Sequence, residues 1–321
     1  MRALRYDRYG PPDVLRVVEI ADPSPGAGEA KVRVRAASLN PLDWKIRAGH
    51  MRLVPIFQRP PRGVGSDFAG EIVGVGVGAA ATSRRVGERV FGSLLPFARD
   101  GSLAEYVVVA VDRLVPMPDG IDYDHAAALP IAGGTALQAL ADEATLAAGE
   151  SVLITGAAGG VGHFAVQIAK YLGARVVGVC GAGNAEWVRT LGADEVVDYA
   201  REDFTRRGDR FDVIFDAASA SSFMAARRVL RDTGCYINTS GNAAAFAGTA
   251  VGAIIARFTS RQRAIPFTLK NVPAMWQRLA TLAGGGVLRA QVERTIALDD
   301  VADAQRAMET GHGRGKIVVR L

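Results

Sequence analysis

The first chemical signal in this chain is a set of small residues at fixed spacing. The run Thr155-Gly156-Ala157-Ala158-Gly159-Gly160-Val161-Gly162 contains Ala157-x-Gly159-x-x-Gly162. It follows Ser151–Thr155 (SVLIT), an apolar run of strand length, and it opens a segment in which Val161, Phe164, Ala165, Ile168 and Leu172 recur at helical spacing. A strand, a tight turn and a helix start make an anion site. Gly159 lets the backbone approach a pyrophosphate, and Gly162 lets the helix pack against the strand. Gly160 and Val161 lead into the helix, whose first amides and positive dipole end face the phosphates. The chemistry this predicts is dinucleotide binding, with Ala157 in place of the first glycine.

Which dinucleotide depends on the end of the next strand. An NAD site places Asp or Glu about 20 residues past the glycines, on the ribose 2′-hydroxyl. Here that strand ends in Val179-Cys180-Gly181-Ala182-Gly183-Asn184, with no carboxylate to repel a 2′-phosphate. The pattern leans toward NADP. Asn184 and Tyr199 could hydrogen-bond the phosphate, and Arg201 could supply charge or stand as a solvated surface residue.

These residues need elements to hold them. The first third reads as β structure: Ala30 to Ala36 alternates valines with charges, and 68–77, 88–92 and 103–109 are further strand candidates between Pro/Gly-rich turns. A helical stretch over 122–148 follows. Strands are then expected at Ser151–Thr155, 174–179, 195–197, Phe211–Asp216, 234–239 and 267–270, with helices at 185–191 and 223–230 between them. That βαβα order implies a parallel sheet with helices on both faces. Helices at 273–283 and 300–309 and strands at 291–296 and Lys316–Arg320 close the chain. The expected fold class is α/β. A β-barrel-like domain is formed by residues 1–121 and 271–321, and a doubly wound dinucleotide-binding domain by 122–270 is inserted into it.

Composition limits the partners. The chain has 321 residues, 49% hydrophobic and 22% charged, and a net charge of +5. No run of five or six like charges appears, so nucleic acid is not an expected partner. The most apolar stretch, 242–256, is stopped by Arg257 and falls short of the roughly 20 residues a membrane span needs. The N-terminal segment, charged at Arg2, Arg5, Asp7 and Arg8, lacks a signal-peptide core. Two cysteines, Cys180 and Cys235, make no disulfide framework. The expected location is cytoplasmic.

The sequence resembles the zinc-independent quinone oxidoreductase family of the medium-chain dehydrogenase/reductase superfamily. The resemblance is carried by Ala37-Ser38-Leu39-Asn40-Pro41-Leu42-Asp43-Trp44-Lys45, Gly65-Ser66-Asp67-Phe68-Ala69-Gly70, Gly87-Glu88-Arg89-Val90-Phe91-Gly92, Gly101-Ser102-Leu103-Ala104-Glu105-Tyr106 and Ala158-Gly159-Gly160-Val161-Gly162. Leu191-Gly192-Ala193-Asp194 and Gly315-Lys316-Ile317-Val318 also fit. The resemblance implies a GroES-like β-barrel domain and a Rossmann domain with NADPH in a cleft between them, often in a homodimer joined through the sheet edge. It implies Asn40 near the nicotinamide, with Asp43 and Lys45 in the same loop. Thr135 would lie beside the carboxamide and Tyr199 at the 2′-phosphate, while Ser240, Gly241 and Lys316 would line the cofactor. Relatives often carry a cation after the second strand of the Rossmann domain, where this chain has Gly183. Use of both NADP and NAD therefore stays open.

Zinc-dependent relatives need a Cys, a His and a carboxylate converging on the metal. Here the zinc-Cys position falls on Asn40, and the Gly-His-Glu segment reads Gly65-Ser66-Asp67. The four histidines, His50, His125, His163 and His312, are isolated and read as surface or helix-end residues, with His50 the one to test as a ligand. No metal site is expected. Without a Lewis acid an isolated ketone is poorly polarised, but a quinone or conjugated enone spreads charge onto oxygen as hydride arrives. Positioning, plus one hydrogen bond to the developing enolate from Asn40, Lys45 or a water, then suffices. The acceptor is a small molecule. Two alternatives stay open at this point: a zinc-dependent alcohol dehydrogenase, and a cofactor-binding protein with negligible turnover. The apolar segment 242–268 is either a wall of the acceptor pocket or a packed helix at a dimer contact.

Overall fold

A computed structural model of the chain describes residues 1–52, 59–78, 84–94, 98–239, 243–270, 273–311 and 313–321. It divides into two compact units, Met1–Ala132 with Asn271–Leu321, and Gly133–Lys270.

The first unit opens with β1 (Arg2–Tyr6), β2 (Arg16–Glu19) and β3 (Glu29–Ser38), then α1 (Pro41–Arg47). There follow β4 (Arg62–Gly63), β5 (Asp67–Val75), β6 (Arg89–Ser93), β7 (Tyr106–Ala110), β8 (Val115–Pro116) and α2 (Tyr123–Ala127). The alternation read from the sequence is realised in β3, where Ala30, Val32, Val34 and Ala36 are all buried. β3 is the hub of the larger sheet, pairing antiparallel with β5 and with β7. Leu4, Val32, Val34, Phe68, Ile72, Val90 and Val107 share one core, as expected where each strand turns one face inward.

The expected helix over 122–148 is instead broken. α2 ends at Ala127, α3 (Pro130–Leu137) begins afresh, and a π-helical turn covers Gln138–Glu143. Pro130 lacks the amide that would continue a helix through it but suits the first turn of a new one. The first compact unit runs on to Ala132, past the expected boundary at 121/122. α2 belongs there: Tyr123 bonds Glu71 of β5 at 2.8 Å, and Asp124 accepts from Arg320 at 2.8 Å.

The second unit contains β9 (Ser151–Thr155), α4 (Gly162–Tyr171), β10 (Arg175–Cys180), α5 (Ala185–Thr190) and β11 (Glu195–Asp198). It continues with β12 (Phe211–Asp216), α6 (Phe223–Ala226), β13 (Leu230–Asn238), α7 (Ala243–Thr259) and β14 (Arg263–Pro266). The sheet order is β11-β10-β9-β12-β13-β14, with each of these pairs parallel. Every residue of β9 is buried, as a central parallel strand requires. The strand order reverses beside β9, which places the crevice for a ligand at its carboxyl end. The last strand was expected at 267–270 but lies at Arg263–Pro266. It is an edge strand, and an edge tolerates Pro266, whose missing amide costs no ladder bond on the open side.

The first unit then resumes with α8 (Pro273–Gly284), β15 (Val292–Ala297), α9 (Val301–Glu309) and β16 (Lys316–Arg320). β16 pairs with β3 through Val318, opposite Ser38, and Val319, opposite Ala37.

Candidate active site

In the second unit, the turn after β9 is held by its own backbone. The Gly159 amide bonds the Gly156 carbonyl at 2.8 Å, and the His163 amide bonds the Gly159 carbonyl at 3.1 Å. A Cβ on Gly162 would lie 2.0 Å from the Gly156 carbonyl oxygen, so only glycine lets helix and turn meet. His163 is buried, its Nδ1 donating to the Gly159 carbonyl at 3.0 Å, which braces the turn from behind. Asp216, at the end of β12, collects the amides of Ala220 at 2.9 Å and Ser221 at 3.1 Å and the Tyr236 hydroxyl at 2.9 Å. It also accepts from the Thr155 hydroxyl, which ties the loop after β12 to the last residue of β9. Sequence reasoning missed Asp216; an acidic residue ending an apolar strand was the available sign.

The rim of this unit also assembles. The Asn184 amide bonds the Gly181 carbonyl at 2.9 Å, and the Tyr199 hydroxyl lies 3.2 Å from where a Gly181 Cβ would be. Arg201 is exposed and sits 3.6 Å from Asp198. Thr135 is buried on α3. Ser240 and Gly241 lie outside the described residues, as do His312 and the first residue, Asn242, of the apolar segment. The described remainder of that segment contains α7, with Phe246, Val251, Ile254 and Phe258 exposed.

In the first unit, three expected residues converge on a fourth that was not singled out. β3 ends at Ser38, and Pro41 starts α1 two residues after Leu39, so Asn40 is held at the junction. The Leu39 amide bonds the Ile317 carbonyl at 3.0 Å, bringing β16 alongside. Lys316 then donates to the Leu39 carbonyl at 2.8 Å and to Asn40 Oδ1 at 2.7 Å. Asn40 Nδ2 donates to Asp67 Oδ2 at 2.9 Å. The Asn40 amide donates to Asp43 Oδ2 at 2.7 Å. Asp67 opens β5 and stands in register between Ser38 and Ser93. Its Oδ2 also accepts from Ser38 Oγ at 3.3 Å and from the Ile131 amide at 3.4 Å, at the start of α3. Its Oδ1 has no hydrogen-bond partner among the described residues.

All four side chains are buried, which decides their electrostatics. Burial pushes Asp43 up to about 7, against its hydrogen bond from Asn40 and the charges of Lys316 and Arg62, and with the help of Asp67. Burial raises Asp67 as well, opposed by Lys316, Asn40, Ser93 and Ile131. Burial lowers Lys316, opposed by Asp67 and Asp43, and burial lowers Lys45. Lys45 sits one turn along α1, its ammonium 5.7 Å from the Trp44 ring centre. The trace of Asp67 in the sequence was Gly65-Ser66-Asp67, read as part of a family motif and as a departure from a zinc site, with no role given to the carboxylate.

His50 is exposed, with its ring 5.5 Å from that of Trp44. His125 bonds Asp122 at 2.6 Å. Cys180 and Cys235 are free and buried in β10 and β13, in the second unit. Among the described residues, no three of His, Cys, Asp and Glu are grouped to share a metal ion.

A doubly wound sheet with a glycine turn after its central strand in one unit, and a buried amide–lysine–carboxylate cluster in a β unit, are the features of a nucleotide-dependent oxidoreductase of the medium-chain type. Comparison with known proteins agrees. Residues 26–119 match the model of the alcohol dehydrogenase GroES-like domain, and residues 191–319 match that of a zinc-binding dehydrogenase. The chain is 34% identical over 330 residues to a chloroplast envelope quinone oxidoreductase homolog of Arabidopsis thaliana, covering 99% of this chain and 98% of that one. It is 31% identical to an NADPH-dependent alkenal/one oxidoreductase, chloroplastic, of the same plant, covering 99% and 79%. The crystal structure of Escherichia coli quinone oxidoreductase complexed with NADPH superposes with a TM-score of 0.85 at 25% identity, covering 100% of both chains. The chain belongs to the zinc-independent quinone oxidoreductase family of the medium-chain dehydrogenase/reductase superfamily.

Proposed function

We propose that this protein uses NADPH to reduce a quinone or the conjugated double bond of an α,β-unsaturated carbonyl, without zinc. The observation that carries the reading is the turn between β9 and α4, where Gly162 packs the helix against the turn with no room for a Cβ and α4 begins at the carboxyl end of a central parallel strand. When bound, the nicotinamide supplies the hydride. The chain's own residues do the rest. Ala157, Gly159 and the amides of Gly160, Val161 and Gly162 hold phosphate, with Thr135, Asn184, Tyr199, Ser240 and Gly241 the further cofactor residues after Ala132; Asn40, Asp43, Lys45 and Lys316 are the cofactor residues of the first unit. Asn40 and Lys45 meet the acceptor. A hydrogen bond to its oxygen stabilises the charge that develops there, the largest single contribution such a site can make.

The reading includes a homodimer. β14 is paired on one side only, and α7, packed against it, leaves four large apolar side chains exposed. It also includes a cytoplasmic location, supported by two thiols left unpaired. No described helix is long and apolar enough to cross a membrane.

Loss of NADPH absorbance with 1,4-benzoquinone or an enone tests the activity. Tight NADPH binding with no reduction across a broad acceptor panel would overturn it. The cofactor preference has its own test. No atom of the described residues lies within 4 Å of a Cβ built on Gly183, and its backbone is not left-handed, so a side chain can be placed there without a clash at Cβ. Gly183→Arg is expected to tighten NADPH binding about fivefold, roughly 1 kcal/mol for one partly solvated charge pair, and to leave NADH unchanged. Equal gains for both nucleotides would remove Gly183 from the 2′-phosphate site.

A further inference from the structure

We infer that Asp67 and Lys316 are positioning residues that fix which way round the Asn40 carboxamide sits, so that one Nδ2 hydrogen is kept for the acceptor oxygen. The inference rests on the proposed role of Asn40, and it adds two residues and a reason for that role.

A primary amide is nearly symmetric in shape, and its two ends are opposite in chemistry. Left alone, Asn40 could present either its oxygen or its NH2 to an incoming oxygen. Only the NH2 would stabilise developing negative charge. The partners on each side remove that choice. Lys316 Nζ, which donates to the Leu39 carbonyl as well, touches Oδ1 at 2.7 Å. Asp67 Oδ2, which also accepts from the Ser38 hydroxyl and the Ile131 amide, touches Nδ2 at 2.9 Å. Turning the amide over would replace two charge-assisted hydrogen bonds with two repulsive contacts. Asp67 takes one Nδ2 hydrogen, and the other has no acceptor among the described residues.

Both clamps are themselves held. Register in the sheet places Asp67 between Ser38 and Ser93. The Leu39 carbonyl anchors Lys316 at 2.8 Å. A carboxylate kept only to stabilise the sheet would be expected to use both oxygens, yet Oδ1 is buried with no hydrogen-bond partner among the described residues. Burying these charges is costly, and setting a unique arrangement is the best-attested return for such a cost.

Asp67→Asn tests the inference, because an amide at 67 can offer Asn40 either end. The kcat with benzoquinone is expected to fall about 10–30-fold, with the NADPH Kd changed less than twofold. The charged groups around Asp67 are Lys316 on β16, Asp43 on α1 and Arg62 on β4. In the native enzyme kcat should decline on the acid side, as Asp67 gains a proton and ceases to be an obligatory acceptor. That limb should vanish in Asp67→Asn.

A measurement on the cofactor-free native protein stands apart from turnover and from the folding of any variant. The side-chain amide signal of Asn40 in a nitrogen-15 spectrum, assigned by its loss in Asn40→Ala, should show one proton far downfield that moves with the same acid titration. A kcat and acid limb unaltered by Asp67→Asn would overturn the inference, and so would an Asn40 amide insensitive to pH. A native enzyme inert toward all acceptors, with the amide behaving as described, would instead overturn the proposed function and leave the amide's orientation standing.

Discussion

Gly162→Ala is expected to weaken NADPH binding at least 100-fold and to lower the melting temperature. The added Cβ would lie 2.0 Å from the Gly156 carbonyl oxygen, 2.7 Å from its carbon and 2.8 Å from the Ala157 Cα. All three are backbone atoms, so no side chain can swing away. Ordinary contact needs more than a further ångström, and that displacement would fall on the turn itself. A misplacement of about 1 Å in a binding constellation costs on the order of 100-fold. Alanine is the better helix former by about 1 kcal/mol, and Gly162 is the first residue of α4. The clash must outweigh that gain for the prediction to hold, and overpacking of roughly 1–3 kcal/mol does so. Gly159→Asp separates binding from folding. Its Cβ would lie 3.2 Å from the same oxygen, a tight but tolerable approach, while its carboxylate would stand where phosphate belongs. It should lose NADPH to the same extent with a melting temperature within about 3 °C of the native chain. Calorimetric titration and thermal melts of the two variants decide the matter. Native affinity in Gly162→Ala would sink the assignment of the turn.

Lys316→Met is expected to destabilise the first unit by about 3–5 kcal/mol near pH 8 and by clearly less near pH 5. The variant loses the bonds to the Leu39 carbonyl and to Asn40 Oδ1, and it leaves Asp43 and Asp67 buried without their ammonium. The direction of the pH effect follows from the carboxyl groups. Asp43 is pushed up to about 7 by burial in the native fold, and Asp67 is also raised. From about pH 4, where the unfolded chain releases these protons, up to the folded values, the folded chain binds more of them. Stability contributed by these groups is therefore present at the acid end of that window and declines as pH rises through it. Removing Lys316 takes away the charge that holds both groups down, so the decline becomes steeper and reaches higher pH. Urea midpoints at pH 5 and pH 8 measure it. Equal deficits at the two values would show that Lys316 contributes packing alone.

Much of the second unit was legible because its signals are local. Ser151–Thr155 and Phe211–Asp216 are contiguous apolar runs, and the structure draws their bounds where the sequence did. The edge strand was misplaced by four residues because Phe267 to Leu269 look more strand-like than Arg263–Pro266. Pairing decides that question: Ile265 lies opposite Ile237 of β13. The long helix over 122–148 failed for a related reason. Composition favoured helix throughout, whereas α2 ends at Ala127 and Pro130 begins a separate helix.

The chain's order alone determined that a strand, a glycine turn and a helix would follow one another at 151–171, since residues a few positions apart are neighbours in any fold. Asn40 was singled out by the family resemblance and not by residue order. Only the tertiary structure brought Asp67 and Lys316, 27 and 276 positions from Asn40, to either side of its amide. Sheet pairing of β3 with β5 and β16 sets those distances, and the loss of water around the charges sets their proton affinities. Neither is a property of a short segment read by itself.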